Sequence, residues 1–250
     1  MILETWIYAL ASVFVVSLIS IIGIVILAIK PKKLNKFLIY LVSLSAGALF
    51  GGAFLHLLPE LIEEVGFNLN IGFSILGGVV LFFILEKIVH WHHCHQPLQG
   101  KHIHSFAIMN LVGDGVHNFL DGLIIGASYL VNIPLGIATT FAVVLHEIPQ
   151  EIGDFGVLLH GGFTVFKALM WNLVSALTAI IGAIVALSLS VYIENIHLFL
   201  VPIAIGGFIY IAGSDLIPEL HKKFTIKSSI LQLVFFVLGI LVMAGLLFLE

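Results

Sequence analysis

Two stretches, His117-Asn118-Phe119-Leu120-Asp121-Gly122 and His146-Glu147-Ile148-Pro149-Gln150-Glu151, place acids and imidazoles inside apolar segments that otherwise read as bilayer-crossing helix. A charge at the centre of such a helix costs about 2.5–3.5 kcal/mol on insertion scales. Carboxylates gathered there at helical spacing therefore require an opposite charge, and one divalent cation supplies it most economically. The rest of the chain enforces the membrane reading. It is 60% hydrophobic and 10% charged, whereas soluble domains carry about 25% charged residues.

A hydrocarbon core of roughly 30 Å takes about 20 apolar residues of helix. Eight windows of the 250-residue chain qualify: 6–29, 37–59, 71–89, 106–131, 134–159, 165–192, 198–219 and 229–249. The expected fold is an all-α integral membrane protein with a single transmembrane domain over residues 1–250. The uninterrupted runs do not resemble the alternating ten-residue segments of a barrel. The first run has no basic flank or cleavage site before it and is expected to be a retained span. Pro134 suits the first turn of span 5. Pro59, Pro149, Pro202 and Pro218 fall within or near the ends of apolar runs, where each frees a carbonyl four residues earlier that lipid cannot satisfy. With Cys94 as the only cysteine, an intrachain disulfide and a four-cysteine metal site are excluded.

All ten basic residues are lysines. Lys30, Lys32, Lys33 and Lys36 lie between spans 1 and 2, Lys87 and Lys101 flank the 3–4 connection, Lys167 the 5–6 connection, and Lys222, Lys223 and Lys227 the 7–8 connection. With eight spans they share one side, which the positive-inside rule makes cytosolic. Both termini are then extracytoplasmic. Leu57-Leu58-Pro59-Glu60-Leu61 ending span 2 is echoed by Leu216-Ile217-Pro218-Glu219-Leu220 ending span 7. Five spans apart, the two strings run in opposite directions, which predicts an inverted repeat of spans 1–3 and 6–8 around spans 4 and 5. Such repeats put the substrate site near the midplane.

In span 4, Asn110, Asp114, His117 and Asp121 follow spacings of four, three and four, so they share one helix face, with Asn118 beside it. Span 5 carries His146, Glu147, Gln150, Glu151 and Asp154. The link between these spans, about Val131 to Ile133, makes them antiparallel neighbours and brings His117 and His146 to similar depth. Imidazole and carboxylate suit Zn²⁺, and also Fe²⁺, Mn²⁺ or Cd²⁺. With Asp121 and Glu147 ionised, one dication leaves the cluster formally neutral. Asp114, Glu151 and Asp154 exceed the needs of one ion; a second ion, protonation or an aqueous route would each employ them. A purely structural contact, in which the histidines and acids pair across helices, is the rival reading.

At these residues the chain resembles the ZIP (Zrt/Irt-like protein) family of divalent metal transporters, along essentially its whole length. The most specific pieces are the stretch from Asn110 to Gly122 and the stretch from His146 to Phe155. They are most similar to the subfamily whose fifth span reads HExPHExGDF. The resemblance implies eight spans in a 3+2+3 arrangement and a two-metal centre with His117, Asn118, Asp121, His146, Glu147 and Gln150 at ligand positions. It also implies movement of metal into the cytosol by a shifting bundle that contains spans 4 and 5. Gln150 departs from the family's histidine. An amide oxygen is a harder, weaker ligand, which loosens strict zinc selectivity toward Mn²⁺ or Fe²⁺. The same residue breaks the HExxH signature of zinc proteases.

The connection from His90 to His104 holds His90, His92, His93, Cys94, His95, His102 and His104, a composition that binds metal readily. It is a candidate cytosolic receiving or sensing site. His56 and Glu60 in span 2, Asn172 in span 6, and Asp215 and Glu219 in span 7 are candidate pathway or helix-end groups. No P-loop or nucleic-acid motif is present in the sequence, so neither ATP nor nucleic acid is an expected partner. The expected partners are the lipid bilayer and divalent ions, and a homodimer is compatible with the chain. The expected function is therefore transport of a divalent metal ion with no prosthetic group. A zinc-dependent membrane hydrolase and a static metal sensor are the alternatives. The expected location is a cell membrane, with a prokaryotic plasma membrane favoured by the compact chain.

Overall fold

A computed structural model describes residues 2–23, 31–91, 105–221 and 225–249, which are helical almost throughout, with no strand among them. Apolar side chains leave the backbone no water to bond with in hydrocarbon, so each segment satisfies its own carbonyls as helix. Helix α1 covers Ile2–Leu18 and continues as a 3₁₀ turn, Ile19–Ile22. Helix α2, Pro31–Gly51, passes through a π-helical turn, Gly52–Leu57, into α3, Leu58–Val65. Helices α4, Leu69–Trp91, α5, Ser105–Val131, and α6, Ile133–His160, follow. Next come α7, Val165–Ala176, and α8, Thr178–Tyr192. Helix α9, His197–Tyr210, leads through a second π-helical turn, Ile211–Leu216, into α10, Ile217–His221. Helix α11, Ile226–Leu246, is last.

Six helical runs are long and apolar enough to cross a membrane by length and composition: Leu3–Ile22, Leu38–Val65, Leu69–Lys87, Val165–Tyr192, His197–Ser214 and Ile226–Leu246. They fall on six of the eight expected windows. The other two windows form α5 and α6, of 27 and 28 residues, which carry the polar stripe and are not among the six. His92, His93, Cys94, His95, His102 and His104 lie outside the described residues. His90 falls in α4 and Asp215 in the second π-helical turn, with their side chains outside the description.

The prolines account for local geometry. Pro149 cannot bond the Leu145 carbonyl, and the Ser45 hydroxyl on α2 reaches it at 2.5 Å. Just before Pro59 and Pro218 the register widens, as Leu58 N–H bonds the Ala53 carbonyl and Ile217 N–H the Ala212 carbonyl. The two π-helical turns thus occupy matching places ahead of the echoed Pro-Glu-Leu strings.

Three helix pairs meet backbone to backbone, each through a reciprocal pair of glycines. A Cβ on Gly122 would lie 1.9 Å from the Ala179 carbonyl oxygen, and one on Gly182 2.0 Å from that of Phe119, joining α5 to α8. Gly47 and Gly239 join α2 to α11, and Gly78 and Gly206 join α4 to α9, with equivalent distances of 2.0–2.4 Å. Van der Waals contact at such an approach replaces the hydrophobic drive that lipid removes. A buried cluster that includes Leu49, Leu57, Ile125, Leu135 and Phe208 fills the space between these pairs.

Gly122→Ala should therefore force α5 from α8 and destabilise the protein by about 1–3 kcal/mol. Gly77→Ala, where a Cβ meets nothing within 4 Å, should change stability by less than about 1 kcal/mol. Thermal unfolding of the detergent-solubilised variants measures both, and equal melting temperatures would contradict the close-packing account.

Candidate metal centre

Helix α5 turns into α6 through one residue. Asn132 accepts the Leu135 N–H with its Oδ1 at 2.8 Å, capping α6, and donates from Nδ2 to Glu60 at 2.6 Å. That short turn fixes the register of the two polar stripes. His117 and Asp121, one turn apart on α5, come to face His146 and Glu147 on α6.

One ligand atom from each of His117, Asp121, His146 and Glu147 lies within 4.8 Å of the others. His146 Nε2 is 3.0 Å from Asp121 Oδ2, 3.5 Å from Glu147 Oε1 and 3.2 Å from His117 Nε2. His117 Nε2 is 3.4 Å from Glu147 Oε1 and 3.7 Å from Asp121 Oδ2. Zinc bonds of about 2.0–2.2 Å in a tetrahedron place ligand atoms roughly 3.3–3.6 Å apart. The observed separations bracket that range. Asp121, His146 and Glu147 are buried, and His117 is 17% exposed.

Hydrogen bonding alone leaves this cluster incomplete. Both oxygens of Asp121 and of Glu147 are buried without a hydrogen-bond partner, a costly state for a carboxylate. His146 Nδ1 lies 3.2 Å from the Ala142 carbonyl. A carbonyl only accepts, so Nδ1–H donates to it, and Nε2 is the ring nitrogen that faces the cluster. Two imidazole nitrogens 3.2 Å apart, flanked by unbonded carboxylate oxygens, form a donor set suited to one cation.

Further polar groups tie this centre to its neighbours. Asn118 donates to Asp114 Oδ1 at 2.9 Å, and the Ser175 hydroxyl of α7 donates to the other Asp114 oxygen. Asn172, also on α7, donates to the Glu151 carboxylate and lies 3.4 Å from the Ser20 carbonyl. Asn110 donates to Asp154 at 2.8 Å. Oxygens of Asn118, Glu151, Asp154 and Asn172 remain buried and unbonded. Glu151 is therefore near the centre but outside its four-residue group. His56 is placed elsewhere, its Nε2 2.8 Å from the Met243 carbonyl on α11.

A cavity of about 340 Å³ runs past His117. Asn110, Gln150 and Asp154 line one wall, and Glu86 and Tyr210, which hydrogen-bond each other, line another. It extends toward the helix ends that border the 92–104 connection. Glu86, Tyr210 and Ser175 were not legible as site residues. Tyr210 stands alone in an apolar run, and the polar neighbours of Glu86 (Lys87, His90) and of Ser175 (Asn172, Thr178) do not by themselves point to the centre.

Comparison with known proteins adds an independent finding. The family model described as ZIP Zinc transporter matches residues 3–106 and 92–247. Zinc transporter zipt-7.1 of Caenorhabditis briggsae is 31% identical over 281 residues, covering 88% of this chain and 71% of that protein. Zinc transporter ZIP13 of Pongo abelii is 30% identical over 264 residues, 96% of this chain and 78% of that protein. Zinc transporter ZIP10 of Homo sapiens is 40% identical over 149 residues, 55% of this chain but only 18% of that protein. The chain thus matches less than a fifth of ZIP10.

Asp121→Asn and Glu147→Gln keep shape but remove charge, and each should weaken Zn²⁺ binding at least about 10–100-fold, the loss typical even of groups behind the ligands. Calorimetric titration of purified protein measures it. Unchanged affinity in both would separate this cluster from metal binding.

Proposed function

The chain belongs to the ZIP zinc transporter family, and we propose that it carries a divalent transition-metal ion, zinc foremost, across the membrane into the cytosol. The relatives are named as transporters, and the protein is a multi-pass membrane transporter, not an enzyme. The observation that carries the proposal is the meeting of four ligand atoms within 4.8 Å of one another, with both carboxylates lacking a hydrogen-bond partner.

In this reading His117, Asp121, His146 and Glu147 hold the ion, and Asn118, Gln150 and Glu151 serve an adjoining second position. The orphan oxygens of Asn118 and Glu151 support that role. Asp114 and Asn172 brace it through Ser175 and Glu151, and Asp154 with Asn110 lines the route out. A mixed nitrogen and oxygen site suits cargo better than a thiolate cage, because the ion must leave. The cavity beside His117 supplies the exit, and its far end borders the lysine-bearing side of the chain. On the positive-inside rule this is an inward-facing arrangement. The tract of His90, His92, His93, Cys94, His95, His102 and His104 is then the proposed receiving site for imported ions.

The proposed frame is a single domain of eight spans, α5 and α6 being the fourth and fifth, with both termini extracytoplasmic. An inverted repeat of spans 1–3 and 6–8 is supported by the packing. The α2–α11 pair joins spans 2 and 8, and the α4–α9 pair joins spans 3 and 7. Exchanging the two halves turns one pair into the other. The matched π-helical turns in spans 2 and 7 follow the same exchange. Alternating access would move α5 and α6 relative to that frame.

Proteoliposomes should accumulate Zn²⁺, and His146→Ala or Glu147→Ala should reduce uptake to that of protein-free vesicles at equal protein content. Wild-type rates in both variants would overturn the transport reading. Gln150→His restores an imidazole, so it should raise uptake of Zn²⁺ relative to Mn²⁺, on the order of tenfold if one ligand is gained. An unchanged ratio would remove Gln150 from the ion's path.

A further inference from the structure

We infer that the outer face of α5, behind the metal centre, holds one acyl chain of an anionic phospholipid from the cytosolic leaflet, with its headgroup at Lys167. This rests on the membrane reading above and adds a lipid site to it.

The groove arises from the break in span 6. Helices α5 and α8 touch at Gly122 and Gly182. The chain then turns at Leu177, where the Ile180 N–H bonds the Leu177 carbonyl at 3.1 Å, and a space of about 690 Å³ separates α7 from α5. One wall is the stripe Ile108, Val112, Gly115 and Phe119 of α5, and the other is Trp171, Val174, Thr178 and Ile181. Eleven residues of helix rise about 16 Å, so the groove is long and narrow along the helix axis, as a lipid tail is.

Its chemistry excludes water. Ser175 and Thr178 are its only hydroxyls, and both are committed inward. Ser175 donates to the Asp114 carboxylate, and Thr178 lies 2.5 Å from the Gly115 carbonyl. Apart from the Trp171 indole N–H the surface left is carbon, and so large a space with so few polar partners holds little water. Ile108, Val112, Trp171, Val174 and Ile181 on its rim are exposed, so it opens directly to lipid.

Charge identifies the headgroup. Counting back one turn from Trp171 on the same stripe gives Lys167, which is exposed. It is the lysine that flanks the 5–6 connection, in the first turn of α7, one turn beyond the groove residue Trp171 on the side that the positive-inside rule makes cytosolic. A lysine at that depth attracts anionic headgroups, while the indole of Trp171 suits the interface. The tail would then press on the segment that holds Asp114 through Ser175, one residue layer from the centre.

Full-length protein in proteoliposomes is photolabelled with phosphatidylglycerol or phosphatidylcholine bearing the same diazirine acyl chain, and the labelled peptides are mapped. Labelling should concentrate on residues 108–119 and 171–181 above the lipid-facing sides of α4 and α11. Val112→Trp and Val174→Trp fill the groove from positions already 54% and 48% exposed, so the core is untouched. Each should lower labelling to the α4 and α11 level with both lipids. Lys167→Gln should reduce phosphatidylglycerol labelling about fivefold and leave phosphatidylcholine labelling unchanged. Even labelling of all faces, no response to either tryptophan, or displacement of lipid by a second copy cross-linked through α5 would each overturn the site. Retained Zn²⁺ binding by the variants reports folding. Labelling does not depend on flux, so its failure leaves the transport reading standing, and lost flux with intact labelling strikes only that reading.

Discussion

Two carboxylates facing two imidazoles in a nearly water-free interior set the terms for everything around them. Asp121 and Glu147 lie buried with His117 and His146 Nε2 3.0–3.7 Å away, and at low dielectric a carboxylate pair needs positive charge beside it. The histidines approach closely, yet their Nε2 atoms face one another as well as the acids. Such convergence suits a positive ion at the middle. In its absence the acids have, among the described residues, only the two imidazoles, at 3.0–3.7 Å, to pair with. A mixed nitrogen and oxygen donor set holds such an ion less tightly than thiolates would, which favours release.

The remainder of the fold holds this group at fixed geometry. A one-residue turn capped by Asn132 sets the register of α5 against α6. Ser45 completes the bond that Pro149 breaks, so α6 keeps its course through the site despite a proline three residues after His146. From the other side, Ser175 and Asn172 bind Asp114 and Glu151 to α7. The reciprocal glycine contacts then fix α5 against α8 at backbone distance. Small residues do this work because lipid offers no hydrophobic drive to bring helices together.

Helix α5 divides two environments. Asn110, Asp114 and His117 face the cavity that leads from the centre, while Ile108, Val112 and Phe119 face the apolar groove. The Ser175 hydroxyl crosses between them to reach Asp114. A polar-lined cavity and an apolar groove thus lie against opposite faces of one helix.

The membrane class, the helix windows and the polar stripes were legible in the chain, because hydrophobic run length and 3.6-residue periodicity are local properties. Local spacing also brought His117 and Asp121 together, and the short α5–α6 link brought them near His146 and Glu147. Chain order could not reveal that Glu151 pairs with Asn172, that His56 reaches Met243, or that Ser45 serves Pro149. Those contacts join residues from 21 to 187 positions apart, and lone serines and asparagines carry no periodic signal. The π-helical turns were likewise hidden, since they follow from how the backbone relaxes around Pro59 and Pro218. Composition and spacing thus determined what kind of helices form and which groups they carry inward. The tertiary structure alone decided which carboxylates are left without partners and where the helices part, because both depend on how surfaces distant in sequence pack.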